Sequence, residues 1–488
     1  MKKNYLLLGL LSLGMITLQS CDENSNEMEK ISPVEQKERL QNIGMEVLNK
    51  IDATDFQNIA DVADFISAEI ENAEIDEELF EKLESLTSDG EQEPEPLRAI
   101  NSLMALSLDM AQNRTSLTEG ADDVYTLTVD AGLNDIYGAL IYEDGYLDYD
   151  ESVTDRLELQ FTDNQNQNWV VTLAGSEETT EISLQTQSRY SYESKYEDGY
   201  TYTEEDNEDY NFFITVPKQV SFVATCNRNK VVDLQINSDL AFEASIYESS
   251  KEVMDYEIWE FDYNRTLNAT INYTNINVEA SLYVNNYKET FKSSVDDKGV
   301  YMNIGFDIDG KNVATANFTL NANVPKFIQQ LNASEDDTEL NTQYINSFVS
   351  KIDVLGKAQL VAKADDFGKF YDAFMEDDDH ETFEEYQQSV AKLNNAYKIT
   401  LHYDNTSTVQ ATIESEAFRE VEYDYEYWGY KDVIVFSEDG SRHDFEDYFD
   451  EESFDRIFNK VDDLFDSLDN MFGNIFDYEE DDYEEFPE

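Results

Sequence analysis

The sequence contains few of the residues that most enzyme and metal sites require. Its 488 residues include 2 cysteines and 3 histidines. It has no glycine-rich phosphate loop, no serine in a Gly-x-Ser-x-Gly turn and no His-Glu-x-x-His pair. These absences predict a protein that is not an enzyme and that has no catalytic residues, no metal site and no cofactor.

Basic residues are also scarce. Lysine and arginine together number 33 against 107 acidic residues, which gives a formal net charge of −74 at pH 7. Nucleic acid and anionic membrane surfaces would repel such a chain, so we exclude both as direct partners. Because acids are so frequent, no carboxylate pair stands out, and an unrecognised carboxylate-dependent hydrolase stays as an alternative.

The sequence has one long hydrophobic run, which lies at its start. Met1-Lys2-Lys3 supplies positive charge, and residues 5–18 are largely apolar. This run is too short to span the roughly 30 Å of hydrocarbon in a bilayer comfortably. Leu18-Gln19-Ser20-Cys21 ends the run with small residues before a cysteine. The pattern predicts a signal peptide over residues 1–20 that is cleaved before Cys21.

Leu18-Gln19-Ser20-Cys21 resembles the lipobox of the bacterial lipoprotein family, in which a leucine and two small or tolerated residues precede the acceptor cysteine. The resemblance implies that a diacylglyceryl group is attached to the thiol of Cys21 and that the new amine is acylated, for example with palmitate. Two or more acyl chains hold a protein firmly at a bilayer. The membrane is therefore the expected partner of this chain, through its lipid anchor.

The acidic stretch from Asp22 to Glu27 resembles the signal with which Bacteroides-type bacteria send lipoproteins to the cell surface. In its leader, its acidity and its hairpins the chain resembles uncharacterised surface lipoproteins of these bacteria. This resemblance implies a location at the outer membrane, on the cell surface, with the periplasmic face as the alternative. Removal of residues 1–20, which contain Lys2 and Lys3 but no acid, would change the net charge from −74 to −76.

Periodicity divides the mature chain into a lipidated tether (21–32), a helical region (33–120), an antiparallel β region (121–330), a mixed helix and hairpin region with a C-terminal helix (331–476) and an acidic tail (477–488). A helix is expected over residues 97–110 within the helical region. The predicted fold class is α+β, with a long-stranded, curved antiparallel β-sheet, N-terminal helices and a packed C-terminal amphipathic helix.

The β region gives the most detailed predictions. Residues 302–308 and 314–324 alternate apolar and polar side chains, and Asp309-Gly310 between them predicts a tight hairpin turn. The alternation over residues 232–246 predicts one long strand. A change of parity near Thr274 and Asn275 predicts a bulge or bend.

The mixed region is expected to contain helices over residues 341–355 and 365–397 and a hairpin-like pair over residues 398–418. From Phe454 to Ile475, apolar residues recur at spacings of three and four, so we expect an amphipathic helix that docks on the sheet. Two other features are interpreted as structural. Cys226 lies on the apolar side of an alternating run, and Asp377 to Glu381 lacks the spaced ligands and central glycine of a calcium loop.

Aromatic residues give the best indication of a ligand site. Tyr423, Tyr425 and Tyr427 are expected on one face of a single strand, followed by Trp428, and such a ridge could stack on sugar rings. Simple packing of these rings is the alternative. The acidic, tyrosine-rich stretch from Tyr190 to Tyr202 is expected to form a long hairpin or loop.

The sequence thus favours an exported, membrane-anchored binding or accessory protein without catalysis, whose ligand is a glycan, a peptide or a protein. One alternative is a carrier that encloses an apolar ligand on its curved sheet, which would require a dry cavity. The other alternative is an unrecognised carboxylate-dependent hydrolase. The sequence leaves the oligomeric state open.

Overall fold

A computed structural model describes residues 27–70, 73–75, 116–119, 124–130, 137–196, 200–255, 260–273, 275–331, 342–375, 380, 382–422, 425–449 and 454–472. Strands make up 56% of the structure and helices 25%, so the predicted α+β class is confirmed in its coarse form, with β structure in the majority. In the described ranges, no helix is both long enough and apolar enough to cross a membrane.

The N-terminal segment is helical and leads into seven short strands. It contains α1 (Pro33–Leu48), a 3₁₀ turn (Ala53–Phe56), α2 (Gln57–Phe65) and a π turn (Ile66–Ile70). Ser32 caps α1, because its hydroxyl accepts a hydrogen bond from the backbone N–H of Glu35 at 3.3 Å. The strands are β1 (Glu74–Ile75), β2 (Ser116–Glu119), β3 (Val124–Asp130), β4 (Gly138–Glu143), β5 (Tyr146–Asp150), β6 (Leu157–Thr162) and β7 (Asn168–Gly175).

Ten longer strands follow in sequence. They are β8 (Thr179–Lys195), β9 (Thr201–Pro217), β10 (Gln219–Cys226), β11 (Asn229–Asp239), β12 (Phe242–Asp255), β13 (Glu260–Tyr273), β14 (Ile276–Val284), β15 (Tyr287–Asp296), β16 (Gly299–Ile308) and β17 (Lys311–Ala322). The tyrosine-rich stretch forms the β8–β9 pair, in which Thr179 lies opposite Pro217 and Lys195 opposite Thr201. The predicted long hairpin is therefore confirmed.

The C-terminal part alternates helices and strands. It contains α3 (Val324–Leu331), a 3₁₀ turn (Thr342–Tyr344), β18 (Ile345–Val354), β19 (Ala358–Ala364), α4 (Phe367–Phe374), α5 (Phe383–Ala396), β20 (Lys398–Tyr403), β21 (Ala411–Glu422), β22 (Tyr425–Phe436), β23 (Arg442–Asp444), α6 (Phe445–Phe449) and α7 (Asp455–Phe472). Thr382 and Glu385 form a capping box at the start of α5.

The strands form a seventeen-stranded main sheet and a six-stranded second sheet. In the main sheet, β10, β11 and β14 to β23 each pair antiparallel with the next strand in that series. On the other side of β10 lies β7, followed by β6, β4, β5 and β1. The second sheet has the order β13-β12-β8-β9-β3-β2, in which β12 pairs parallel with β8 and β3 pairs parallel with β9. The prediction of an antiparallel region over residues 121–330 is therefore wrong at these pairs, because the chain passes through β10 and β11 of the main sheet before it returns beside β8 as β12.

Most tight turns of the main sheet lie at one end of its strands, which we name the turn end, whereas the turn from Asp296 to Gly299 between β15 and β16 lies at the other end. The nine described non-glycine residues with positive φ lie in the turns of the turn end, and seven of them are asparagine or aspartate, the residue types that tolerate this conformation: Asp144, Asn166, Asn227, Arg228, Asn285, Asp309, Leu355, Asp404 and Asn405. Asp309 and Gly310 have φ of 53° and 67° and connect β16 to β17, so the predicted hairpin is confirmed.

The N-terminal segment crosses the main sheet along the turn end. Ile43 of α1 packs with Ala358 and Tyr403, while Phe65 of α2 reaches Trp169 and its neighbours in β6 and β7. Between them, Val47, Ile51 and Phe56 contact a buried cluster on β15 to β17 that contains Tyr287, Ile308 and Val313. The apolar side chains of one helical segment thus cover successive strands of the sheet.

Helix α7 packs on the turn end as well. Phe454, Ile457, Phe458 and Val461 are buried in a cluster with Leu48 of α1 and with strand residues that include Phe436. The predicted docking of the C-terminal helix is confirmed over its described residues, which end at Phe472.

Residues 27–31 are fastened to the turn end, and we name them the strap. The N–H of Ile31 donates to Oε1 of Gln410 at 3.0 Å, and Nε2 of Gln410 donates to the carbonyl of Glu29 at 3.1 Å. Nε2 of Gln36 donates to the carbonyls of Ile31 and Gln410, each at 3.0 Å. Gln36 and Gln410 are fully buried, so these bonds replace water on Nε2 of both side chains and on Oε1 of Gln410, whereas Oε1 of Gln36 has no hydrogen-bond partner among the described residues.

Two predicted elements differ from the structure. Residues 345–354 form strand β18 rather than a helix, since Phe348, Ile352 and Val354 place their apolar side chains with those of β17 and β19. The spacing of these residues fits both periods, and pairing with two neighbouring strands decides between them. The expected helices between 365 and 397 are present as α4 and α5.

The alternating run over residues 232–246 is divided between two strands. β11 ends at Asp239 in the main sheet, and β12 begins at Phe242 in the second sheet. The change of parity near Asn275 has the same origin, because the chain leaves β13 of the second sheet and enters β14 of the main sheet there. Alternation keeps its parity through the first crossing and changes parity at the second, and neither pattern by itself distinguishes a crossing between sheets from a continuous or bent strand. Strands β1 and β2 lie in the region predicted to be helical, and the expected helix over 97–110 lies outside the described residues.

Candidate functional site

The predicted tyrosine ridge is divided by a hairpin. Glu422 ends β21 and lies opposite Tyr425, the first residue of β22, while Tyr423 lies outside the described residues. The prediction of a single strand was therefore wrong, because the residues before and after Tyr423 belong to two antiparallel strands. The side chain of Tyr425 is also outside the described part, and its predicted binding role stays a prediction.

Tyr427 and Trp428 are neighbours in β22 and so lie on opposite faces of it. The exposed ring of Tyr427 lies 5.9 Å from that of Phe418. The indole of Trp428 packs near Phe383 and Tyr386 of α5, and its Nε1 donates to Oε1 of Glu426 at 2.6 Å. The two residues cannot stack on one ligand from the same side of the sheet.

Other predicted residues give no further site. The lipid-attachment residue Cys21 and residues 376–379 and 381 lie outside the described residues. Cys226 is half-buried at the end of β10, where its thiol donates to Oε1 of Gln167 at 3.1 Å. Burial raises the pKa of this thiol, and the nearby Asp163 adds to the effect, so the thiol stays protonated at neutral pH. No group of three or more His, Cys, Asp or Glu side chains in the described ranges is arranged to hold a metal ion.

The second sheet carries the densest group of exposed aromatic and acidic side chains. Its strands β8, β9, β12 and β13 extend over 14 to 17 residues, and their register places alternate residues on two faces. One of these, which we name the aromatic face, carries Tyr190, Tyr192, Tyr202, Tyr210, Phe261 and Tyr263. The opposite face of the same four strands carries two aromatic residues, Phe213 and Tyr247.

Aromatic rings form rows across the sheet with carboxylates between them. Tyr263 lies beside Glu252, which lies beside Tyr192, which in turn lies beside Glu204. Three tyrosine hydroxyls donate to carboxylates of this face: Tyr190 to Glu252 at 3.3 Å, Tyr202 to Glu204 at 3.3 Å and Tyr210 to Glu208 at 3.1 Å. Phe261 and Tyr263 remain 56% and 52% exposed, so these rings are available to a ligand.

Both faces carry more carboxylates than cations. The aromatic face carries Glu204, Asp206, Glu208, Glu248 and Glu252 against one cation, Arg265, whose Nε donates to Oε1 of Glu248 at 2.8 Å. The opposite face of these four strands carries eight carboxylates and three cations, and among them Arg189 pairs with Asp209, and Lys251 pairs with Glu193 at 3.1 Å. Exposed aromatic rings among the carboxylates, and not a greater negative charge, therefore distinguish the aromatic face.

Two tyrosines of the aromatic face have raised pKa values, which favours their neutral form. The charge of Glu204, together with burial, raises the pKa of Tyr202. Burial raises the pKa of Tyr190, and the charge of Glu252 adds to the effect. Neutral phenols donate hydrogen bonds and keep the electron-rich ring faces that attract cations. At the same face, Ser194 is buried and its hydroxyl has no hydrogen-bond partner among the described residues.

No family model, no curated protein and no solved structure matches the chain. The assignment of a function therefore rests on the residues themselves.

Sequence reasoning identified part of this surface. The sequence indicates the tyrosines from Tyr190 to Tyr202 on the β8–β9 hairpin, but it does not connect them with Phe261, Tyr263 and Arg265 of β13. Their contribution depends on the parallel pairing of β12 with β8, and no local turn signals that pairing. The alternation of aromatic residues in β13, at Phe261 and Tyr263, was the signal available in the sequence.

Proposed function

We propose that this protein is an exported lipoprotein, anchored at the outer membrane through Cys21 and exposed at the cell surface, that binds a cationic polypeptide without catalysis. The observation that carries this proposal is the aromatic face of the second sheet, where exposed rings alternate with carboxylates that outnumber cations five to one. The anchor and the location are inferred from the leader sequence and its resemblance to bacterial lipoproteins.

The chemistry of the aromatic face suits lysine and arginine side chains. A cation over a tyrosine or phenylalanine ring is attracted by the electron-rich face of that ring, and a nearby carboxylate adds an ion pair. An anionic ligand would meet five carboxylates and one arginine on this face. A neutral glycan would gain ring stacking and hydrogen bonds from its hydroxyls to the carboxylates, but no ion pair and no cation–π attraction. The strands of the face are 14 to 17 residues long, which suits an extended polypeptide better than a small molecule.

The carrier hypothesis receives less support. It requires a dry, enclosed cavity, whereas the cavity between the start of α2 and the β6–β7 turn is lined by polar side chains. We therefore propose that the second sheet presents a binding surface and does not enclose a ligand.

The proposal can be tested with the full chain purified from membranes in detergent. The probe is a fluorescent oligolysine peptide, with an oligoglutamate peptide and a neutral glycan as comparison ligands. The test variant combines Glu204→Gln, Asp206→Asn and Glu208→Gln on the aromatic face. The matched control combines Glu181→Gln, Glu205→Gln and Asp262→Asn on the opposite face of the same strands, with the same change in charge.

We expect the test variant to bind oligolysine roughly tenfold more weakly than the wild type at low salt, because three exposed charge contacts of up to about 1 kcal/mol each are lost. The control should lose about threefold or less, which measures the effect of overall charge. Tyr263→Ser should weaken binding without any change in charge. Equal losses in both triple variants would overturn the proposal, and tight binding of the neutral glycan instead of oligolysine would replace it with a glycan-binding function.

A further inference from the structure

A polar cleft lies at the turn end of the main sheet, on the opposite end of the strands from the second sheet. Its volume is about 380 Å³, within the range of small-molecule sites. One wall is formed by the 3₁₀ turn and the start of α2, and the other by the turn between β6 and β7. It is lined by Thr54, Asp55, Gln57, Asn58, Asp61, Asp163, Gln165 and Gln167.

Hydrogen bonds within the protein fix the wall formed by the β6–β7 turn. Oδ1 of the buried Asp163 accepts from the backbone N–H groups of Gln165 and Gln167 at 2.9 and 2.8 Å, and its Oδ2 accepts from Nε1 of Trp169 at 2.9 Å. Asp163 thus holds the turn in place, and the side chains of Gln165 and Gln167 project from a fixed backbone.

The helical wall is fixed by the turn between β14 and β15. Oδ2 of Asp55 accepts from the hydroxyl of Tyr287 at 2.7 Å, and the carbonyl of Asp55 accepts from Nδ2 of Asn285 at 2.6 Å. Asn58 and Asn285 exchange amide hydrogen bonds at 3.2 and 3.3 Å. Burial raises the pKa of Tyr287 to about 12, so this phenol remains a donor to Asp55 at all physiological pH values. Both walls are therefore held by bonds that do not depend on a ligand.

The lining excludes most ligand classes. It contains three carboxylates and no cation, which opposes anions, and it has no apolar side chain for a hydrophobic ligand. A metal ion would need a cluster of ligating side chains, and the part of the chain that the structure describes has none.

The remaining choice is between an organic cation and a hydroxyl-rich neutral molecule. A cation needs acceptors only, but four of the eight lining side chains are amides, which present donors and acceptors side by side. Gln57 uses its Nε2 on Asp61, and Gln167 uses its Oε1 on the thiol of Cys226, so Oε1 of Gln57 and Nε2 of Gln167 are the atoms of these two amides that remain for a ligand. Several carboxylate oxygens are also already engaged, as at Asp163 and Asp55, and Oδ1 of Asp61 accepts from Nε2 of Gln57 at 2.7 Å. Sugar hydroxyls both donate and accept, so they match a mixed lining of this kind.

From this geometry we infer that the cleft is a binding site for a neutral mono- or disaccharide. The site is separate from the aromatic face, so the inference does not depend on the proposed polypeptide ligand. Asp61 and Gln57 on α2 contact one face of the sugar, and the amides of Gln165 and Gln167 contact the other.

The test is a titration of the purified full chain with neutral mono- and disaccharides, followed by ligand-observed NMR and calorimetry. Glucuronate and glucosamine serve as the anionic and cationic comparison ligands. The test variant is Asp61→Ala, and the control is Asp64→Ala, which makes the same change in charge on an exposed position of the same helix outside the cleft. Binding of oligolysine is measured in parallel and should be unchanged in both variants.

We expect a neutral sugar to bind and Asp61→Ala to weaken its binding about tenfold or more, as removal of a hydrogen bond to a charged group typically does. Asp64→Ala should leave sugar binding unchanged. Binding of glucosamine alone would overturn the inference in favour of a cation site. Failure of every neutral sugar to bind, or equal binding by Asp61→Ala and the wild type, would refute the inference while leaving the polypeptide proposal untouched.

Discussion

The two sheets are built from the same alternating pattern but use it differently. Along the turn end of the main sheet, the inward residues are aliphatic or aromatic and helices cover them, as with Phe436 under α7. In the second sheet, none of the aromatic side chains described on β8, β9, β12 and β13 is fully buried. Alternation therefore predicts a strand, but the identity of the alternating residues decides whether the face becomes a core or a surface.

The sharpest contrast should appear in stability. Phe436 is 1% exposed in the main sheet, and Phe261 is 56% exposed in the second sheet. We expect Phe436→Ala to lower the free energy of unfolding by about 3–5 kcal/mol, because it leaves a cavity in a packed core. Phe261→Ala should change it by about 0.5 kcal/mol or less. Urea denaturation followed by circular dichroism measures both, and a cost for Phe261→Ala close to that of Phe436→Ala would show that the aromatic face is a covered core.

The strap offers a second test, because Gln36 and Gln410, the two glutamines that hold it, are as deeply buried as the core of the main sheet. Gln410→Ala leaves the N–H of Ile31 and the carbonyl of Glu29 without their partners. We expect a loss of about 1–3 kcal/mol in the free energy of unfolding and faster proteolysis of the strap. Lys30→Ala, which removes an exposed bond to the carbonyl of Ser437, is the control and should have little effect. Unchanged proteolysis in Gln410→Ala would show that other contacts hold the strap.

The smallest effect should come from an ion pair on the opposite face of the second sheet. The hydrogen bond from Arg189 lowers the pKa of Asp209 below its ordinary value of about 3.9. A carboxyl with a lowered pKa stabilises the fold above the unfolded-state value, and this stabilisation is lost as the pH falls through the folded-state value.

Asp209→Asn should therefore be less stable than the wild type at pH 7 by about 0.5 kcal/mol, because the pair is partly exposed. The difference should shrink as the pH falls below about 4. Urea midpoints at several pH values measure it. A difference that stays constant with pH would mean that the aspartate acts through packing and not through its charge.

Local signals in the sequence predicted much of the fold. Asp309-Gly310 identified a hairpin, and the spacing from Phe454 onward identified a docked helix, because turns and helix faces depend on residues close together in sequence. The helix expected over 341–355 was wrong, since β18 is selected by its two neighbours in the sheet. The crossing between Asp239 and Phe242 was missed for a similar reason.

The candidate sites were less predictable than the fold. Alternation predicts a ridge from Tyr423 to Trp428 on a single strand. In the structure, Glu422 and Tyr425 belong to two antiparallel strands. The aromatic face depends on the parallel pairing of β8 with β12, and the polar cleft brings Asp61 near Gln167 across 106 positions of sequence. Such juxtapositions follow from the whole topology, so no segment of the sequence contains a signal for them.

The strap also determines how far the protein can stand from a bilayer. The N–H of Met28 donates to Oγ1 of Thr408 near the turn end, and seven peptide units separate Met28 from Cys21, so the acylated end can extend at most roughly 25 Å from this point. The second sheet continues from the opposite ends of the main-sheet strands, where Lys218 and Ser238 join the two sheets. If Cys21 carries the proposed lipid, this short segment holds the turn end and the proposed sugar cleft beside the lipid headgroups. The aromatic face then points away from the membrane, where large partners in the medium can reach it.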